Sequence, residues 1–335
     1  MPQLTIRRHA EMLKLIPEIL GFHPEESLVS LVLCAGVVKV TARIDFPARP
    51  GSPDCWQAAE SVARIWRPFA PAHGFLLAYT ERSDPWSVLR ALAGSTHADP
   101  LWLVHVGQGS WRVNGAGGPS GSYLPQPDGP LRRPFRATRA DLAQTVLPLG
   151  DEAGAAGLVA KQQAKLSRLP RQCWGERLSA LLTDYDPGMG LPALKCAQAA
   201  VLVCDGPARG VAIAAIQRAN AVRMGEFWGE VVRRVPDSHQ LHPLGLLGLA
   251  AWVSGNGALQ MICLERAEAL LGLDFHQLLA GYCARDPTVP ALIGMNAWIN
   301  FNVLHPTIWD QLREAACAKP GGPSPSGAEA STDAV

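Results

Sequence analysis

The chain has 335 residues, 48% apolar and 18% charged, with a formal net charge of +1. That length exceeds one ordinary core and sets an expectation of two domains, in a composition that is globular. A charge so near zero excludes a bulk field that would draw the chain onto nucleic acid or a membrane surface.

The first predicted element is a helix over 10–20, from the spacing of Met12, Leu13, Ile16, Ile19 and Leu20. Gly21 stands where a helix takes a left-handed terminal residue, and Pro24 prevents its resumption. "SLVSLVL" is apolar on both faces, as in a central strand, and Ala35-Gly36 suits a hairpin turn. In the return strand Val38, Val40, Ala42, Ile44 and Phe46 alternate with Lys39, Thr41, Arg43 and Asp45.

Ser52 and Pro53 then open a helix. "FLLAYT" at 75–80 reads as a strand, "PWSVLRALAG" at 85–94 as a helix, and "LWLVHV" at 101–106 as a strand turning into "SWRV". This alternation predicts crossovers and a largely parallel sheet, made mixed by the leading hairpin.

Residues 114–134, rich in Gly and Pro, read as a long surface loop. Thr138 and Asp141 match a capping box, and everything from there to about 315 reads as helices. The expected architecture is therefore an α/β domain over 1–135 and an all-α domain over 136–316. Residues 317–335, without apolar periodicity, are expected to be disordered. Within the helical part, 247–272 spaces Leu247-Gly248, Trp252, Gly255, Ala267 and Gly272 much as a tetratricopeptide hairpin does, but the chain holds no second copy.

The turn "GFHPEES" holds a histidine, two glutamates and a serine. A nucleophilic triad draws its members from distant segments, so this crowding reads as the stop of a helix and the start of a strand, not as a catalytic set. Neither a G-x-S-x-G elbow nor a phosphate-binding GxxxxGK[ST] occurs. Gly107-Gln108-Gly109 begins like a dinucleotide fingerprint, but Arg112 stands where the third glycine belongs, and the next element is a strand. His239 and His242, with Asp237, could share a helix face, yet HExxH and cysteine partners are missing, and accidental pairing is preferred to a metal site. Arg132, Arg133, Arg136 and Arg139 read as a solvated or interdomain basic set ahead of a nucleic-acid contact. No catalytic residue, metal or cofactor is assigned.

The favoured ligand-site residues are Lys39, Arg43 and Asp45 on the polar face of the second strand, joined by Arg112 from the last hairpin. Together they would line an interdomain cleft.

Eight cysteines lie inside apolar segments without CxxC spacing, and Glu11, Lys14 and Glu18 interrupt the N-terminal apolar stretch that an export signal would need. No run reaches the roughly 18 apolar residues of a membrane span. A cytoplasmic protein is expected.

"LKLIPEILGFHPEESLV" at 13–29, "ARIDFP" at 42–47 and "AAWVSGNGALQMICLERAEAL" at 250–270 resemble the actinobacterial domain-of-unknown-function family 4192. The resemblance spans roughly residues 10 to 285 and implies a bacterial cytoplasmic protein with no assigned chemistry. The cysteine pair common in that family is replaced here by "RVNGAGGPSGSY", so no role is carried over for it. The expected function is a non-enzymatic interaction or regulatory protein that presents its helical hairpin to a protein partner. The alternative is an enzyme or sensor that binds a small anionic ligand in the interdomain cleft.

Overall fold

The computed structural model describes residues 9–34, 37–69, 73–96, 98–107, 109–114, 118–123 and 135–272. Helix α1, His9–Leu20, ends at Gly21, whose φ of 77° is the left-handed value the sequence called for. Strands β1, Ser27–Cys34, and β2, Val37–Asp45, pair antiparallel. Helix α2, Pro53–Trp66, leads to β3, His73–Tyr79. Helix α3, Pro85–Ala93, leads to β4, Leu101–Gly107, and then to β5, Ser110–Val113.

The six-stranded sheet has the order β2-β1-β3-β4-β5-β6. It is mixed, as expected, but less parallel than the strand–helix alternation suggested. β1 lies between β2 and β3 and runs antiparallel to both, so the crossover through α2 passes over a strand. The β3–β4 pair, joined through α3, is the parallel neighbour pair among the described strands. A short strand, β6 (Ser120–Ser122), pairs with β5 inside the stretch expected to be loop alone.

One face of the sheet buries Leu28, Val32, Leu76 and Ala78 against Val62, Trp66, Val88, Leu89 and Leu92 of α2 and α3. There the Trp66 indole N–H donates to Ser30 Oγ at 2.8 Å, so the only polar end of a large core side chain is satisfied. The opposite face presents Val29, Leu31, Phe75, Leu77, Val104 and Val106 to α1 and to the helical half.

That half begins with α4, Arg139–Gln144, capped by Thr138 and Asp141 in the reciprocal pattern read from the sequence. It continues through α5 (Glu152–Leu166), α6 (Gln172–Thr183), α7 (Ala193–Leu202), α8 (Gly206–Ala215) and α9 (Ala221–Arg234). The hairpin forms from α10, Leu241–Ser254, and α11, Gly257–Leu271, around left-handed Gly255. Its helices are packed inside the chain: α10 lies against α9, and α11 against α4, α1 and β2. One apolar core thus runs without a break from the sheet into the helices. Residues 273–316 of the expected helical domain and the 317–335 tail lie outside the described residues.

Candidate functional site

The turn between α1 and β1 is held from both sides. Behind it, Phe22 is buried and the backbone of Gly21 and His23 pairs with Arg136: Arg136 N–H donates to Gly21 O at 2.8 Å, and His23 N–H to Arg136 O at 3.0 Å. In front, Glu26 takes a φ of 40°, uncommon for a residue with a side chain. Its carboxylate explains why that conformation persists. Thr80 Oγ1 donates to Glu26 Oε1 at 2.6 Å, the Glu81 N–H to the same oxygen at 3.3 Å, and Arg82 pairs with Oε2 at 2.8 Å. Glu26 therefore clamps the turn onto the end of β3.

A cleft of about 380 Å³ opens at this point, lined by His23–Glu26, Tyr79–Glu81, Val106, Gly107, Gly109 and Tyr123. It sits at the carboxyl ends of the parallel strands β3 and β4, where open α/β sheets place their ligands. Gly107 is required there because a Cβ would collide with the Thr80 carbonyl oxygen. Gly109, at φ 69°, turns the chain into β5.

Three rings converge on the cleft from three segments. His23 Nε2 and the Tyr123 hydroxyl lie 3.2 Å apart. The Tyr79 ring stands edge-on to both, with centroids 6.0 Å from His23 and 6.2 Å from Tyr123. Burial lowers the affinity of His23 for a proton, with the charge of Glu25 opposing it, so the neutral imidazole is favoured. Burial also raises the Tyr79 phenol well above its ordinary value and that of Tyr123 to about 12, which keeps both as O–H donors. The Tyr79 hydroxyl is fully buried, with the Tyr123 hydroxyl as its polar neighbour in the cleft. That neighbour matters, because a buried hydroxyl left bare costs about 1–3 kcal/mol.

The residues favoured from sequence are not gathered into one site. Arg43 pairs with Asp45 at 2.6 Å, and its Nε donates to Ser27 Oγ at 2.8 Å. Ser27 Oγ in turn donates to the Glu25 carbonyl at 2.6 Å, so Arg43 braces the back of the turn. Lys39 is exposed beside the register shift in β2. Arg112 pairs across from His105, whose ring meets Trp86 of α3, whereas Arg43 lies opposite Val29 on the other face of the sheet. With β1, β3 and β4 also standing between β2 and β5, Arg112 cannot join Arg43 and Asp45.

His239 and His242 part company as well. His239 Nδ1 lies 3.0 Å from Ser238 Oγ, while the His242 ring faces the Arg209 guanidinium. Among the described residues no cluster of three His, Cys, Asp or Glu side chains could hold a metal ion. Arg139 pairs with Glu265 of α11 at 2.6 Å, and Arg132 and Arg133 lie outside the described residues. Among those residues no helix is long and apolar enough to cross a membrane.

The cleft escaped sequence reasoning because Tyr123 stands in a Gly/Pro-rich stretch and His23 in an apparent helix stop. The available signal was positional: "FLLAYT" and "LWLVHV" were legible as strands, and the crevice beyond their carboxyl ends is where a ligand site belongs.

No curated protein and no solved structure matches the chain. A family model described as "Domain of unknown function (DUF4192)" matches residues 10–283, which takes in both the sheet and the helical half, and the chain belongs to that family.

Proposed function

We propose that the protein binds a small molecule in the cleft at the carboxyl ends of β3 and β4. The observation that carries this reading is the convergence there of His23, Tyr79 and Tyr123 from three segments of the chain, with the His23 imidazole and the Tyr123 hydroxyl 3.2 Å apart. The volume lies within the range of small-ligand pockets. The α10–α11 hairpin, with its helices packed against α9, α4, α1 and β2, is a weaker candidate for a partner surface than the cleft is for a ligand. We place the protein in the cytoplasm of an actinobacterium. The buried thiols of Cys55, Cys196 and Cys263 and the resemblance of its "LGFHPEESLV" block support this, and finding those thiols oxidised in protein taken from cells would oppose it.

A thermal-shift screen against nucleotides, amines, amino acids, sugars and carboxylates tests the binding reading. A ligand at a hundred times its dissociation constant stabilises by about 2.7 kcal/mol, readily seen in Tm. Tyr79→Phe and Tyr123→Phe should each weaken a true cleft ligand by about two- to tenfold, the worth of one hydrogen bond. A ligand whose affinity is untouched by both, and by His23→Gln, binds elsewhere and defeats the proposal.

A further inference from the structure

We infer that β2 is the docking edge for a second copy of this chain, which adds its own β2 antiparallel across a twofold axis at Ala42. No residue of β2 lines the cleft, so this inference does not rest on the cleft reading. β2 closes one end of the sheet and pairs with β1 alone. The Phe46 N–H donates to Glu26 O at 2.8 Å, in the same register as the Ser27–Asp45 pair. In an antiparallel ladder, residues that bond to the neighbouring strand alternate with residues that turn both backbone groups away from it. Phe46, Ile44, Ala42 and Val40 therefore bond toward β1, and Asp45, Arg43 and Thr41 turn N–H and C=O outward. Among the described residues nothing bonds to those outward groups. A row of unpaired groups of this kind is a template for another strand.

The side chains of the edge fit the same partner. β1 is buried almost throughout, whereas Val37, Val38, Val40, Ala42 and Ile44 of β2 are each only partly buried. Charge then selects the register, because like charges directly opposite each other are destabilising. Pairing about Thr41 would set Lys39 against Arg43, and pairing about Arg43 would set two Arg43 side chains face to face. Pairing about Ala42 sets Val40 against Ile44, Thr41 against Arg43, and Lys39 against Asp45. Lys39 is exposed and has no charged partner among the described residues, and the Asp45 side chain is 88% exposed beside Arg43. The register shift next to Lys39 lies at one end of this pairing and leaves Val40–Asp45 regular. The strand is thus complementary to itself in one register, which is what an isologous dimer requires.

Sedimentation equilibrium of the full chain over a concentration series should show a species of twice the chain mass. Thr41→Pro removes an outward N–H that the β1 pairing does not use, so it should abolish the dimer and leave the chain folded by circular dichroism. Lys39→Glu turns both symmetry-related pairs with Asp45 from attraction to repulsion and should weaken association about tenfold, about threefold for each exposed pair. Adding Asp45→Lys restores opposite charges and should recover that loss. This charge series decides the question by itself if Thr41→Pro fails to fold. A chain that stays monomeric at the highest concentration would overturn the inference and leave the edge to an unlike strand. A dimer that Thr41→Pro and Lys39→Glu both leave intact uses another surface and would overturn it as well. A Lys39→Glu defect that Asp45→Lys does not recover would overturn the register at Ala42.

Discussion

His23 and Tyr123 are 100 residues apart in the chain and 3.2 Å apart in the fold. Their contact ties the turn that ends α1 to the residue that follows β6, across the edge of the sheet where β3 and β4 finish. The aromatic floor of the cleft is assembled by this closure.

The closure has a pH signature. Burial holds His23 below the ordinary histidine value, with Glu25 opposing, and burial acts on His239 in the same direction. Tyr79 and Tyr123, the other titratable neighbours of His23 in the cleft, remain protonated throughout the range concerned. The unfolded chain therefore binds more protons than the folded one below about pH 6.5, so stability is complete above that value and is lost as pH falls through the depressed folded values. Melting temperature should fall between about pH 7.5 and 5.5, with part of the slope removed by His23→Gln and part by His239→Gln. Equal slopes in wild type and His23→Gln would show that the imidazole is not held neutral.

Two glycines separate backbone strain from steric contact. Gly21 and Gly51 have nearly the same positive φ, 77° and 76°. A methyl group on Gly21 would lie 3.1 Å from Asn256 Nδ2, whereas one on Gly51 would meet nothing within 4 Å. Each Ala substitution should cost about 1–2 kcal/mol for the left-handed backbone. Gly21→Ala should cost more, because Asn256 caps α11 by accepting from the Leu259 N–H at 3.0 Å and must shift. Equal losses in chemical denaturation would mean that the joint between the turn and α11 is loose.

The buried Trp66–Ser30 hydrogen bond is suited to a double-mutant cycle. Trp66→Phe strands the Ser30 hydroxyl, Ser30→Ala strands the indole N–H, and each should cost about 1–3 kcal/mol. The double variant removes both polar groups and should cost at least about 1 kcal/mol less than the sum of the singles. Strict additivity would show that the bond contributes nothing to stability.

Arg43 should act as a brace. Its guanidinium is about one-fifth exposed and is divided between Asp45 and Ser27, whose hydroxyl holds the Glu25 carbonyl. Arg43→Ala should lower stability by about 1 kcal/mol after solvent screening of the Asp45 pair. Asp45→Asn, at an 88% exposed side chain, should change stability little. A larger loss from Asp45→Asn than from Arg43→Ala would reverse these roles.

Local physics made much of this fold legible from sequence. The stop at Gly21, the hairpin of β1 and β2, the Ser52-Pro53 helix start and the Thr138–Asp141 capping box all arise from interactions within a few residues. Strand and helix identities come from periodicity for the same reason. The sheet order was not local. Whether β1 pairs with β3 depends on which strand offers the better apolar neighbour across the sheet, and that decision left one parallel pair among the described strands where more were expected.

The site was decided at the same level. Residues 21–27 were correctly legible as a turn, but a turn becomes the wall of a cleft only when another segment closes against it. Here Thr80 and Arg82 seize Glu26, and Tyr123 reaches His23. Conversely, alternation in β2 and β5 placed Arg43 and Arg112 on polar faces without saying that those faces look in opposite directions. By itself the sequence determined the elements of the first half except β6, and the ends at Gly21, Ser52 and Thr138, because these depend on backbone conformation and on side chains three or four positions apart. Which faces meet was decided only by tertiary packing, because burial of apolar surface has no direction along the chain and selects partners by shape and position.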